Sequence, residues 1–249
     1  METQTKKFEI NKTIGEIASE FQAAIPLFED MKIDYCCGGN RTLRDACSLA
    51  GVPVEKVVSA LEKLDAESAA RQDALPDWKN KTMAELIDHI LAKHHVYTRS
   101  QLSRLKVLSA KVKGVHGAHH SELSRLDEII KEMAGEMEGH MAKEEEQVFP
   151  YLRALEAAGG KKDGIHDPFQ GGPTENHPLK VLMWEHGMTG EEFLEIHKLT
   201  NDFTLPKDAC QSYKALYRGL KEMEEDLHQH VHMENNILFE RVLKSGWMD

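Results

Sequence analysis

The chain lacks any apolar run near the ~20 residues that would cross a bilayer as a helix. It lacks a surplus of basic residues: 31 Lys and Arg stand against 42 Asp and Glu, a formal charge of −11. Nucleic-acid binding needs basic surface to replace phosphate counterions, and anionic membranes need the same, so the charge excludes both partners. An apolar signal core is missing from the polar stretch Met1 to Lys12, which argues against secretion. Four cysteines are too few for a disulfide scaffold. Strand-like alternation of any length is absent, so the fold class is all-α. Histidine is missing from the first 88 residues and then occurs 14 times.

That asymmetry divides the chain. Residues 1–76 form a small N-terminal helical domain with three of the four cysteines, and 77–249 a second domain with every histidine. The break falls at Ala74-Leu75-Pro76-Asp77, since proline disfavours helix in the residue before it. In the first domain, Thr13 with Glu16 is a capping-box pattern. Cys36-Cys37-Gly38-Gly39-Asn40 reads as a turn, where glycine and asparagine accept positive φ. Thr42 and Asp45 cap a further short helix. In the second domain the apolar periodicity predicts four long helices, over about 82–112, 121–158, 178–201 and 207–244. Short connections between them give an antiparallel four-helix bundle.

The two halves of that bundle repeat. His140-x3-Glu144-x3-Val148-Phe149 matches His230-x3-Glu234-x3-Leu238-Phe239. Each is preceded by a helix with Leu-x3-His, at His95 and His186. The separations are 45 residues from His95 to His140 and 44 from His186 to His230. Residues four apart share a helical face about 6 Å apart along the axis. All six ionisable residues also fall in apolar stripes, where a charge costs several kcal/mol, roughly, unless paired or metal-bound. A lone His-x3-Glu pair is an ordinary surface contact worth a few tenths of a kcal/mol. Four histidines and two glutamates in matched halves instead suit a pair of non-haem iron ions, with manganese or zinc also admitted.

The remaining histidines read as ordinary. His94 lies outside the repeat. His228 and His232 flank His230 and point off its face. His89, His119, His120, His166, His177 and His197 read as solvent or loop residues. His116, 21 residues beyond His95, is about 31 Å farther along a continuous helix and is left out. Cys47 and Cys210 read as small core residues. Adjacent cysteines bridge each other only with strain. Cys36 and Cys37 therefore either pack a turn or supply thiolates for metal, nitric oxide or redox exchange.

Asp34-Tyr35-Cys36-Cys37-Gly38-Gly39 with Thr42-Leu43, together with the two His-x3-Glu stretches, resembles the RIC (repair of iron centres) proteins of the ScdA/YtfE/DnrN type. The resemblance implies a hemerythrin-like bundle and a bacterial cytoplasmic di-iron protein. It implies repair of iron–sulfur clusters damaged by nitrosative or oxidative stress, by supplying iron. Damaged iron–sulfur proteins would be its partners, and nitric oxide or oxygen its small ligands. Carried over by motif, His95, His140, Glu144, His186, His230 and Glu234 would hold two iron ions. Cys36 and Cys37 would form a thiol transfer or redox site. A plain nitric-oxide or oxygen binding or reducing protein is the alternative, and whether the chain is an enzyme stays open. A homodimer also stays open, since no exposed apolar pattern points to one.

Overall fold

The computed structural model describes residues 7–71, 76–168 and 178–247. Among them there is no strand, only an isolated bridge between Thr13 and Thr42. The chain divides into two compact units: residues 1–82 with 231–244, and residues 83–230 with 245–249.

The first unit holds α1 (Ile14–Glu20), α2 (Ile25–Asp30), α3 (Leu43–Leu49) and α4 (Val54–Arg71). Thr13 caps α1 in the expected reciprocal box with Glu16, and Thr42 caps α3 by accepting the Asp45 N–H. Ile14, Ile17, Phe28, Tyr35, Leu43, Val57 and Leu61 close a core of their own, which includes Cys36, Cys47 and Val231.

The second unit holds α5 (Met83–His89), α6 (Val96–His116), α7 (Glu122–Lys143), α8 (Phe149–Ala157), α9 (Pro178–Thr200) and most of α10 (Gln211–Met233). Its core takes Leu102, Leu105 and Val112 from α6, Leu126, Ile130 and Met133 from α7, Phe193 and Ile196 from α9, and Tyr213, Leu220 and Leu227 from α10. The Glu156 carboxylate of α8 accepts the Met83 and Ala84 N–H groups at 2.7 and 3.0 Å, satisfying the free amides at the start of α5. Asp127, almost wholly buried, is held by Ser109, Lys113 and Lys131. Of the expected ordinary residues, His177 and the break residues Ala74 and Leu75 lie outside the described residues.

Among the described residues, three long helices contain a π-helical turn: Ile90–His95 between α5 and α6, Glu144–Val148 between α7 and α8, and Glu234–Leu238 between α10 and α11 (Phe239–Ser245). A π turn inserts an extra residue and rotates the face that follows it. Each of the three turns contains one of the six residues singled out by the repeat.

Candidate metal centre

The six residues converge. His95, Glu144, His230 and Glu234 form one group of donors, and His140, Glu144, His186 and Glu234 a second. Within each, the donor atoms lie within 4.8 Å of one another, and every residue is buried. Glu144 and Glu234 belong to both groups, so each carboxylate sits between two histidine pairs. Glu234 lies one turn past His230, at the start of the π turn that follows α10.

The rings are aimed. His95 places Nδ1 2.7 Å from Glu145 Oε1 and Nε2 3.4 Å from Glu144. His140 places Nδ1 2.8 Å from Glu185 and Nε2 3.3 Å from Glu144. An Nδ1–H given to a carboxylate fixes the tautomer that leaves the Nε2 lone pair for a metal. The Nε2 atoms of His140 and His186 are 2.9 Å apart. Ligands at ~2.1 Å from one ion and ~90–110° apart stand about 3.0–3.4 Å from each other. The Nε2–carboxylate spacings match that separation, and they are long for hydrogen bonds. Two carboxylates without measurable exposure would cost several kcal/mol, roughly, in an apolar core, and cations between them offset that cost. The donor set therefore fits bound metal.

Supporting groups surround the ligands, and sequence reasoning missed them. Arg99 holds Glu145 at 2.7 Å and also reaches Glu138. Lys143 holds Glu185. His94, outside the repeat, is wholly buried, bonds Asp226 at 3.0 Å, and stacks on His230 with ring centres 5.4 Å apart. Burial lowers the His94 imidazole's tendency to charge, against the pull of Asp226. His232 does point off the His230 face, but into the first unit rather than to solvent. It is buried against Tyr35, and desolvation lowers it to about 4. Two signals were present in the sequence: Glu145 adjoins Glu144, and Asp226 lies one turn before His230.

A cleft of about 340 Å³ reaches His140 between α7 and α9, lined by Gly135, Gly139, Met137, Trp184, Glu185 and Met188. Trp184 and Met188 are exposed. On α9, four residues beyond Met188, lies Glu192, whose carboxyl is pushed up to about 7 by burial and by Glu136 and Glu132. Such a group favours the folded state fully below the ordinary carboxylate range and loses that contribution as pH rises through about 7. Glu192→Gln should therefore raise the midpoint of thermal unfolding at pH 8 by a few degrees and hardly at all at pH 4. Water screening at this half-buried site limits the effect to about 1 kcal/mol. Equal shifts at both pH values in differential scanning calorimetry would defeat the assignment.

At the other end of α6, His116 sits beside Asp208 at 3.7 Å, and His120 bonds the same carboxylate at 3.1 Å. His116 thus lies within α6 and apart from the six-residue centre. Cys210, expected in the core, is exposed. It precedes α10, and its thiol is lowered to about 7 by the backbone N–H of Tyr213 and by His116. Burial raises Cys47, and the Cys37 thiol together with burial raises Cys36. Iodoacetamide labelling followed by mass spectrometry should show Cys210 reacting ahead of Cys36 and Cys47, with a rate half-maximal near pH 7. A half-maximal rate near pH 9 would contradict this.

The Cys-Cys-Gly-Gly turn packs within the first unit against Asn235 and Asn236, the two residues that follow Glu234. Asn236 donates to the carbonyls of Tyr35 at 3.1 Å and Cys36 at 2.9 Å. A Cβ on Gly39 would fall 1.9 Å from Asn236 Oδ1, and one on Gly38 would fall 2.8 Å from Asp34 Oδ2. The glycines are thus required by close approach. Cys36 is buried and Cys37 exposed.

Fold and site together define an all-α protein with a buried histidine–carboxylate centre and a separate thiol-bearing turn. The hemerythrin HHE cation binding domain family matches residues 86–242, and the ScdA_N domain, described as a domain of unknown function, matches residues 10–65. The iron-sulfur cluster repair protein YtfE of Escherichia coli (strain K12 / DH10B) is 34% identical over 233 residues, 94% of this chain and 97% of the relative. The protein of that name from Shigella boydii serotype 4 (strain Sb227) gives the same figures. The chain belongs to the RIC family.

Proposed function

We propose that this chain repairs iron–sulfur clusters damaged by nitrosative or oxidative stress, by supplying iron from a di-iron centre. In this reading His95, His140, His186 and His230 would hold the iron together with Glu144 and Glu234, the two carboxylates that both donor groups share. The observation that carries it is the sharing of those two carboxylates by both donor groups, in a chain whose relatives are named for cluster repair. Iron is the cargo as well as the resident metal. Bound iron supplies the redox and Lewis-acid chemistry, while the protein fixes the ligand tautomers and excludes water. Glu145 and Glu185, each tied to a surface cation, hold His95 and His140 in place. Cys36 and Cys37 are the thiol transfer or redox site, and damaged iron–sulfur proteins are the partners. The antiparallel order of the four long helices belongs to the same reading, as does a cytoplasmic location. Among the described residues, no helix is long and apolar enough to cross a membrane.

The cleft at His140 favours a second reading, in which nitric oxide or oxygen binds at the centre. One experiment separates the two. Protein loaded with labelled iron is incubated with an apo iron–sulfur protein, with and without nitric oxide. Transfer of label with recovery of the acceptor's cluster spectrum is expected. Full retention of iron with reversible gas binding would favour the second reading.

A further inference from the structure

The turn that carries the two cysteines contains a third donor. Asp34 Oδ1 lies 3.4 Å from Cys36 Sγ, and the two sulfur atoms are 3.9 Å apart. All three side chains offer atoms within 4.8 Å of one another. We propose that Asp34, Cys36 and Cys37 form a second cation site, taking one thiophilic divalent ion.

The distances suit it. Sulfur atoms bound at ~2.3 Å to a tetrahedral ion stand about 3.8 Å apart, and a bound carboxylate oxygen stands about 3.6 Å from each sulfur. The backbone holds the donors in place from both sides. Asp34 Oδ1 accepts the Cys37 N–H at 2.9 Å, and Asn236 grips the carbonyls of Tyr35 and Cys36. Gly38 leaves the room that the Asp34 carboxylate occupies. Arg41 approaches only the other oxygen, Oδ2, at 3.5 Å, so Oδ1 faces the sulfurs. Without a cation, the neighbouring Cys37 thiol, burial and the Asp34 carboxylate together oppose ionisation of Cys36. Binding one divalent ion replaces two thiol protons, which pass to solvent, and the net charge of the trio stays at −1. Two thiolates and one carboxylate select a softer ion than the imidazole–carboxylate centre does. Cys37 and Asp34 are exposed, so the fourth position opens outward, where an acceptor's sulfur can enter. Redox exchange between adjacent cysteines would give Asp34 no part.

As a cation site this stands apart from the repair reading; as a station for outgoing iron it rests on that reading. The test adds cobalt(II) to the iron-loaded, full-length protein without oxygen. One further equivalent should bind with a thiolate-to-cobalt charge-transfer band in the near ultraviolet, which imidazole and carboxylate cannot produce. The band should survive in Cys47→Ala/Cys210→Ala and vanish in Cys37→Ala. Asp34→Asn keeps an oxygen for the Cys37 N–H, so the turn should persist by circular dichroism while cobalt affinity falls at least tenfold. No band in the wild type, a band surviving Cys37→Ala, or unchanged affinity in Asp34→Asn would overturn the site. Cobalt binding without iron transfer by the same preparation would remove the station role alone.

Discussion

Glu144→Ala combined with Glu234→Ala should reduce bound iron from about two per chain to nearly none, and abolish cluster repair with it. Each carboxylate belongs to both donor groups, so its loss takes a ligand from both ions at once. The remaining four imidazoles would leave each ion with two protein ligands, too few for tight binding of a first-row metal. Removing His95 alone should act differently, weakening one donor group while both shared carboxylates persist. The apo double variant should still fold, because Leu126, Met133, Leu220 and Leu227 pack in a core that includes neither glutamate. It also trades two buried charges for small apolar side chains, which relieves a desolvation cost. Iron by atomic emission and the visible spectrum are the readouts, with manganese and zinc measured on the same sample. Unchanged stoichiometry in the double variant would show that the metal lies elsewhere.

Much of this centre was legible in the sequence because helical spacing is rigid. His140 and Glu144 had to share a face, as did His230 and Glu234, and their place in an apolar stripe marked them as buried. The capping boxes at Thr13 and Thr42 were legible for the same reason: their partners lie three residues away. What escaped was set by tertiary packing. The π turns at Ile90–His95, Glu144–Val148 and Glu234–Leu238 break the 3.6-residue period, and nothing in local propensity announces them. His94 and His232 read as ordinary because one lies outside the repeat and the other off the His230 face. Asp226 and the His230 ring enclose the first, and Tyr35 of a distant segment encloses the second. Cys210 misled in the opposite direction: its place in a helical pattern suggested a core position, but it precedes a helix start and faces solvent. The requirement for glycine at Gly39 was visible only as a turn preference. Its physical cause, the Asn236 side chain, lies 197 residues farther along the chain.

Cys36→Ala and Cys37→Ala should separate packing from function, because the two thiols sit in different surroundings. Cys36 is buried among Phe28, Tyr35 and Leu43 in the core of the first unit. Truncating it removes one buried sulfur and should cost about 1 kcal/mol. Cys37 is exposed, so its truncation should leave thermal unfolding within about 0.5 kcal/mol of wild type. Both variants should retain near-normal iron, since neither thiol belongs to either histidine–carboxylate group. Repair of a damaged cluster should nevertheless fall at least tenfold in each. A histidine–carboxylate centre binds iron through hard and borderline donors, and handover to cluster sulfide goes more readily through an intermediate thiolate. Thermal unfolding, iron content and cluster reconstitution would be followed on one preparation of each variant. Full repair activity in Cys37→Ala would remove that thiol from the mechanism. A large stability loss in Cys37→Ala would instead mean that the turn is held by packing of both side chains. Loss of repair in Cys37→Ala, with stability and iron unchanged, would place the exposed thiol between the stored iron and the cluster that receives it.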